Sequence, residues 1–131
     1  SAPFLVRERA ALAAEDVAIL SDVQGKNTTP RWQRPVIESA IDAEKRGLAD
    51  AIVVTGAGTG KSASLDDLIQ VKSAISAPLL AGSGVTPASL PDILSACDGA
   101  IVGSFFKQGG SIKAPTDIER VKELMAVAKR A

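Results

Sequence analysis

The chain has 131 residues, 46% of them hydrophobic, with 15 lysines and arginines against 15 aspartates and glutamates. That is one domain's worth of chain, and a formal charge of zero with only four aromatics argues against a nucleic-acid binder, which carries a basic patch and stacking side chains. A single cysteine excludes a disulfide framework and fits a reducing, cytoplasmic setting, while the lack of histidine removes Ser-His-Asp and Cys-His triads and histidine-ligated zinc. No cofactor or metal is implied.

Ser1 opens the chain and a helical pattern follows almost at once, which predicts a segment of something longer. The opening residues do not read as a basic-then-apolar leader, so no signal segment is expected in them. The longest uncharged run, Ser73 to Pro91, holds three prolines and two glycines, so no membrane span is expected. The first apolar run, Val17–Asp22, predicts a buried strand. It ends in Asp22, and Lys26 follows four residues on, before Asn27. An acid and a lysine at a strand end can exchange a proton, or the lysine can form a Schiff base, or the two simply close a loop as an ion pair. Trp32, beyond Pro30, is either a pocket wall or a packing anchor.

A helical stripe from Val36 to Leu48 stops near Gly47, with Lys45 and Arg46 in its last turn. Ala51–Thr55 is the second strand. The segment Thr55 to Ser62 after it resembles a phosphate-binding P-loop but fails on count, since position 55 is Thr where that motif needs Gly. It reads instead as a glycine-rich loop, able to carry Lys61 over a ligand. Ser64 with Asp67 forms a capping box for the next helix. The third strand, Pro78–Gly82, runs through Ser83, Gly84 and Val85 into Thr86-Pro87, an N-cap and first-turn proline. Cys97 precedes the fourth strand, Gly99–Gly103, and reads as a small core residue at the end opposite the site. Ser104 and Lys107 follow that strand, the lysine either touching an anion or solvated. Thr116 with Glu119 caps the last helix.

The order α-βα-βα-βα-βα predicts a single α/β domain over residues 1–131 with a parallel sheet. Two architectures fit: half of a (β/α)8 TIM barrel, or a small flavodoxin-like doubly wound sheet. Alternation along the four runs puts Asp22, Thr55, Ser83 and Ser104 on the same face as Leu20, Val53, Ala81 and Val102, a polar ring at the carboxyl end of one interior. Barrel sites are built there, which favours the barrel. The turns Gly82–Val85 and Gly103–Ser104 suit a phosphate or other anion, because glycine lets backbone N–H groups approach it. Tight strand-to-helix turns favour glycine and serine for purely structural reasons as well. Catalytic candidates are Asp22, Lys26, Thr55 and Lys61.

Taken together, Phe4–Arg9, Ser21–Lys26, Ala49–Gly56 with Thr59-Gly60, Gly82–Pro87, Asp98–Ser104 with Lys107, and Asp117–Val121 resemble the BtpA family, which includes SgcQ-like proteins. The likeness covers essentially the whole chain. It implies the C-terminal half of a (β/α)8 barrel, with the family's amino-terminal half absent. Members commonly carry histidine after the lysine of the first loop, where this chain has Asn27. The family is associated with photosystem I biogenesis or stability in cyanobacteria and with sugar-utilisation gene clusters elsewhere. Two expectations follow and stay open. One is an enzyme or binder of a phosphorylated sugar or nucleoside-like metabolite, or of an inorganic anion. The other is a non-catalytic assembly factor. Four βα units also leave strand edges open, which predicts a homo-oligomer or pairing with the missing amino-terminal half.

Overall fold

A computed structural model describes residues 2–23, 35–56 and 63–131. Helix α1 (Ala2–Ala11) leads into β1 (Leu20–Asp22), α2 (Val36–Lys45), β2 (Ala51–Thr55) and α3 (Leu65–Ala74). Then come β3 (Leu79–Gly82), α4 (Leu90–Ala96), β4 (Gly99–Ile101) and α5 (Ile118–Ala128). Two short 3-10 turns, Ser104–Phe106 and Gln108–Gly110, lie between β4 and α5. All strands are parallel and stand side by side in chain order, β1-β2-β3-β4. A flavodoxin-like sheet reverses its strand order at a switch point; this one does not.

Helices α2, α3, α4 and α5 gather on one side. Ile52 and Val54 of β2 with Leu79 and Ala81 of β3 meet Ala40 of α2, Leu68 and Val71 of α3, and Ile93 of α4 in one core. Helices α2, α3, α4 and α5 pack each against the next. Ile52, Leu68, Leu79, Val54 and Val71 are the largest fully buried side chains, each supplying roughly 1.5–3 kcal/mol of hydrophobic stabilisation. The opposite sheet face carries Leu20, Val53 and Ile101; on the outer strands Leu20 is 50% exposed and Ile101 46%, whereas Val53 on the central β2 is buried. A sequentially ordered parallel sheet with all its packed helices outside is the arrangement of consecutive units in a (β/α)8 barrel.

Several element ends follow the sequence. Ser64 caps α3 by accepting from the Asp67 N–H at 3.4 Å. Thr86 and Ser89 exchange backbone-to-hydroxyl bonds at 3.0 and 3.3 Å, closing the turn that opens α4. The expected cap of α5 moves by one residue: Asp117, not Thr116, accepts from the Glu119 and Arg120 N–H groups, and the Thr116 hydroxyl takes the Lys107 ammonium at 3.2 Å. Helix α2 ends at Lys45 with Arg46 as its C-cap, and the left-handed residue beyond it is Leu48, with φ 50°, not Gly47.

Acidic side chains fasten the amino ends of the strands. Asp50, just before β2, accepts from the Ile19 N–H at 2.7 Å and from Arg9 of α1 at 2.9 Å. Glu44 of α2 accepts from Ser76 and Ala77 at 2.7 and 2.6 Å, at the entry to β3. Asp98, just before β4, accepts from the Leu79 N–H at 2.8 Å and from Lys72 at 2.5 Å. The strand N–H bonds, aided by Arg9 and Lys72, hold the Asp50 and Asp98 carboxyls below their ordinary pKa. This end of the sheet serves stability.

Candidate functional site

Strand register decides which residues meet at the other end. Asp22 pairs with Val53, Val53 with Leu80, and Thr55 with Gly82. Alternation along each strand therefore puts Asp22, Thr55 and Gly82 on the same face as Leu20, Val53 and Ile101. A Cβ built at Gly82 would lie 2.6 Å from Thr55 Cγ2 and 3.0 Å from Val53 Cγ1, so this position faces the same space and is filled by its neighbours. The expected phase is right for β1 and β2 and one residue out for β3 and β4. Ala81 is buried against the helices, Val102 packs on the same core, and Ser83 lies past the strand end at φ 72°. The reason is the backbone ladder, which aligns Gly82, not Ser83, with Thr55.

At this end Leu20, Asp22, Val53, Thr55, Gly82, Ser83 and Ile101 line an open concavity of about 430 Å³. The Thr55 hydroxyl donates to Asp22 Oδ1 at 3.1 Å. Thr55 is 6% exposed, the one buried polar side chain of the described core, whereas Asp22 reaches solvent. The hydroxyl of Thr55 thus fixes one carboxylate oxygen of Asp22.

The remaining candidates fall in different places. Ser83 and Gly84 form a left-handed pair, φ 72° and 66°, at the rim after β3. The Val85 side chain is buried in the core, so any anion contact there is through its backbone. Gly103 and Ser104 open the 3-10 turn after β4 and do not line the concavity. Lys26 and Lys61, with Trp32 and Asn27, lie outside the described residues. Cys97 is buried with Sγ 3.1 Å from the Ile93 carbonyl oxygen, as a core residue should be. Lys107 rests on Thr116.

One set of contacts went unforeseen. The Arg120 side chain of α5 donates to the Phe105 carbonyl at 2.5 Å and stacks over the Phe105 ring with its guanidinium carbon 4.4 Å from the centroid. The Asp117 N–H donates to the Phe106 carbonyl at 2.7 Å. The segment after β4 is thereby bound to α5. Among the described residues no group of three or more potential metal ligands occurs, and no helix is long and apolar enough to cross a membrane.

Comparison with known proteins bears on this geometry. The model of the BtpA family matches residues 1–130. An uncharacterised protein of Pyrococcus furiosus is 42% identical over 84% of this chain and 41% of its own length. The photosystem I biogenesis protein BtpA of Synechocystis is 36% identical over 89% of this chain and 41% of its own. The chain thus spans about two-fifths of the length of these relatives. Among solved structures, (S)-3-O-geranylgeranylglyceryl phosphate synthase of Thermoplasma acidophilum, in complex with its substrate sn-glycerol-1-phosphate, superposes with a TM-score of 0.67 at 16% identity, over 96% of this chain and 56% of that one. The corresponding enzyme of Thermoplasma volcanium gives 0.56 at 23% identity, over 72% of this chain and 37% of that one. At such identities the likeness is one of fold: the chain has the (β/α)8 half-barrel architecture.

Proposed function

The chain belongs to the BtpA family, and from that premise we propose that it contributes the carboxyl-terminal half of a barrel mouth that binds, or acts on, a phosphorylated sugar or nucleoside-like metabolite. One observation carries the reading: the Asp22–Thr55 pair, hydrogen-bonded at 3.1 Å, stands in a concavity of about 430 Å³ at the carboxyl ends of the strands. Asp22 orients a substrate hydroxyl or takes its proton, with Thr55 holding the carboxylate in place. Lys26, four residues along, and Lys61, on the glycine-rich loop, supply the positive charge that offsets a phosphate or a developing anion. Backbone N–H groups of Gly82–Val85 and of Gly103–Ser104 take the phosphate oxygens, with the Ser83 and Ser104 hydroxyls assisting.

The test is a thermal-shift screen with sugar phosphates, nucleosides, sn-glycerol-1-phosphate and inorganic phosphate. A ligand at 100 times its Kd stabilises by about 2.7 kcal/mol. Asp22→Asn, which keeps the shape, should remove the shift for the organic ligand while Ser83→Ala weakens the phosphate itself. A screen in which no phosphorylated compound shifts the melt discards this reading. It would favour the second one, a non-catalytic assembly or stability factor, for which the likeness to the Synechocystis photosystem I biogenesis protein speaks.

A further inference from the structure

The backbone leaves the sheet after Ile101, whose pairing with Gly82 is the last of β4. Beyond it, Gly103 to Lys107 close a 3-10 turn in which the Phe106 and Lys107 N–H groups donate to the Gly103 and Ser104 carbonyls, each at 3.1 Å. A Cβ built at Gly103 meets no atom within 4 Å among the described residues, so the outer side of the turn is open. The turn is held from behind, by the first turn of α5. There the Asp117 N–H donates to the Phe106 carbonyl at 2.7 Å. The preceding carbonyl, of Phe105, accepts from Arg120 Nε at 2.5 Å, and the guanidinium carbon stands 4.4 Å from the centre of the Phe105 ring. One side chain thus fixes both the backbone and the ring of the same residue, and that ring meets Phe106 edge-on with centroids 6.4 Å apart.

Arginine is an unfavourable residue there on helix grounds alone. The first turn of a helix favours acids, and a cation works against its dipole. Among the described residues Arg120 forms no ion pair that would offset this. Its own N–H is tied to Asp117 Oδ1 at 3.5 Å, so the backbone under the side chain is part of the cap. What the side chain adds is the hold on Phe105. A guanidinium suits that task because it is flat enough to stack on a ring while its edge donates; an ammonium is a point charge without that face.

We infer that Arg120 is a positioning residue for the phosphate contact at Gly103–Ser104, a role that rests on the proposed function of that turn. Arg120 does not line the concavity and acts through Phe105, the residue that follows Ser104. With the Phe105 carbonyl and ring both fixed, the backbone at Ser104 keeps one orientation before any ligand arrives. A loop that must be ordered as its ligand binds loses affinity by that ordering. Without Arg120 the turn keeps its two internal bonds and the Asp117 bond but loses the clamp nearest Ser104.

The experiment compares the full chain with Arg120→Ala, Arg120→Lys and Phe105→Leu, using inorganic phosphate as the probe in a phosphorus NMR titration. Arg120→Ala should weaken phosphate binding about tenfold, the size of one hydrogen bond to a charged group. Arg120→Lys keeps the charge and should not restore it. Phe105→Leu removes the stack, keeps the carbonyl and should weaken binding less, with little further effect once Arg120 is gone. Amide exchange supplies the readout that a general loss of stability would not mimic. In Arg120→Ala it should rise at Phe106 and Lys107 while Val53 and Val54 of the central strand exchange as in the parent. Should Arg120→Ala fail to fold, Arg120→Lys, which keeps the stem, carries the same test. Full phosphate affinity in a folded Arg120→Ala or in Arg120→Lys overturns the inference and leaves the phosphate reading standing. So does weaker binding without faster exchange at Phe106 and Lys107, which would make Arg120 a direct contact. A parent chain that binds no phosphate discards the reading of the turn itself, and the role of Arg120 with it.

Discussion

Gly82→Ala puts a methyl group into the most crowded point of the candidate site. Its Cβ would stand 2.6 Å from Thr55 Cγ2 and 3.0 Å from Val53 Cγ1, where ordinary contact begins near 3.4 Å. Thr55 is buried and β-branched, with few rotamers to retreat into. Moving its methyl swings Oγ1 away from Asp22, 3.1 Å distant. Overpacking of this kind costs about 1–3 kcal/mol, and a lost bond to a carboxylate about 1.5–3 kcal/mol when fully buried. The half-exposed Asp22 recovers water, and removing glycine from the unfolded chain returns about 0.4–1 kcal/mol. The net expectation is a loss of about 2 kcal/mol, or about 8 °C in Tm by interpolation for a domain this size. Urea unfolding at one fixed protein concentration measures it. Thr55→Ser removes the clashing methyl and keeps the hydroxyl, so the double variant should be more stable than the sum of the singles by about 1 kcal/mol. Gly103→Ala, where a Cβ meets nothing within 4 Å, should change stability by less than about 0.5 kcal/mol. A Gly82→Ala protein as stable as the parent, or strict additivity with Thr55→Ser, would refute the placement of Gly82 against Thr55.

Asp98 sits below its ordinary value of 3.8, chiefly through the Leu79 N–H and then through Lys72. Its contribution is therefore complete above that value and lost as pH falls through the depressed one. Asp98→Asn should be less stable than the parent at neutral pH, with the gap closing only under acid; denaturation curves showing an unchanged gap well below 3.8 would contradict this. Asp117→Ala should cost about 1 kcal/mol as a lost helix cap, and Thr116→Ala less than about 0.5 kcal/mol as a surface change; the reverse order in urea unfolding would return the cap of α5 to Thr116.

Much of the fold was legible because its strands are simple. Ala51–Thr55 is apolar up to its last residue and buried throughout, and Ser64 caps the helix after it as its position requires, while the helix before it stops at Lys45, just short of Gly47. The inward face of β3 was not legible, because Leu79-Leu80-Ala81 is apolar on both sides and alternation carries no phase there. Ser83 and Ser104 looked aligned with Asp22 only by analogy of type. The register that sets Gly82, and not Ser83, beside Thr55 comes from pairing across strands, which a single run does not encode. Acids immediately before apolar runs, Asp50 before Ala51 and Asp98 before Gly99, recur in the sequence, yet their partners lie 31 and 19 residues away. The Arg120–Phe105 contact likewise spans 15 residues.

The clasps at the amino ends form an unbroken series: Asp50 joins β2 to the approach of β1, Glu44 joins α2 to the approach of β3, and Asp98 joins β4 to β3. Each links a unit to its neighbour, and all lie at the end away from Asp22. The strands are in effect the ribs of a fan, riveted at the handle. With the rivets at the handle, the order of the strands does not depend on which side chains stand at the rim. New side chains at the rim can reshape what the mouth accepts while the handle keeps the ribs in order.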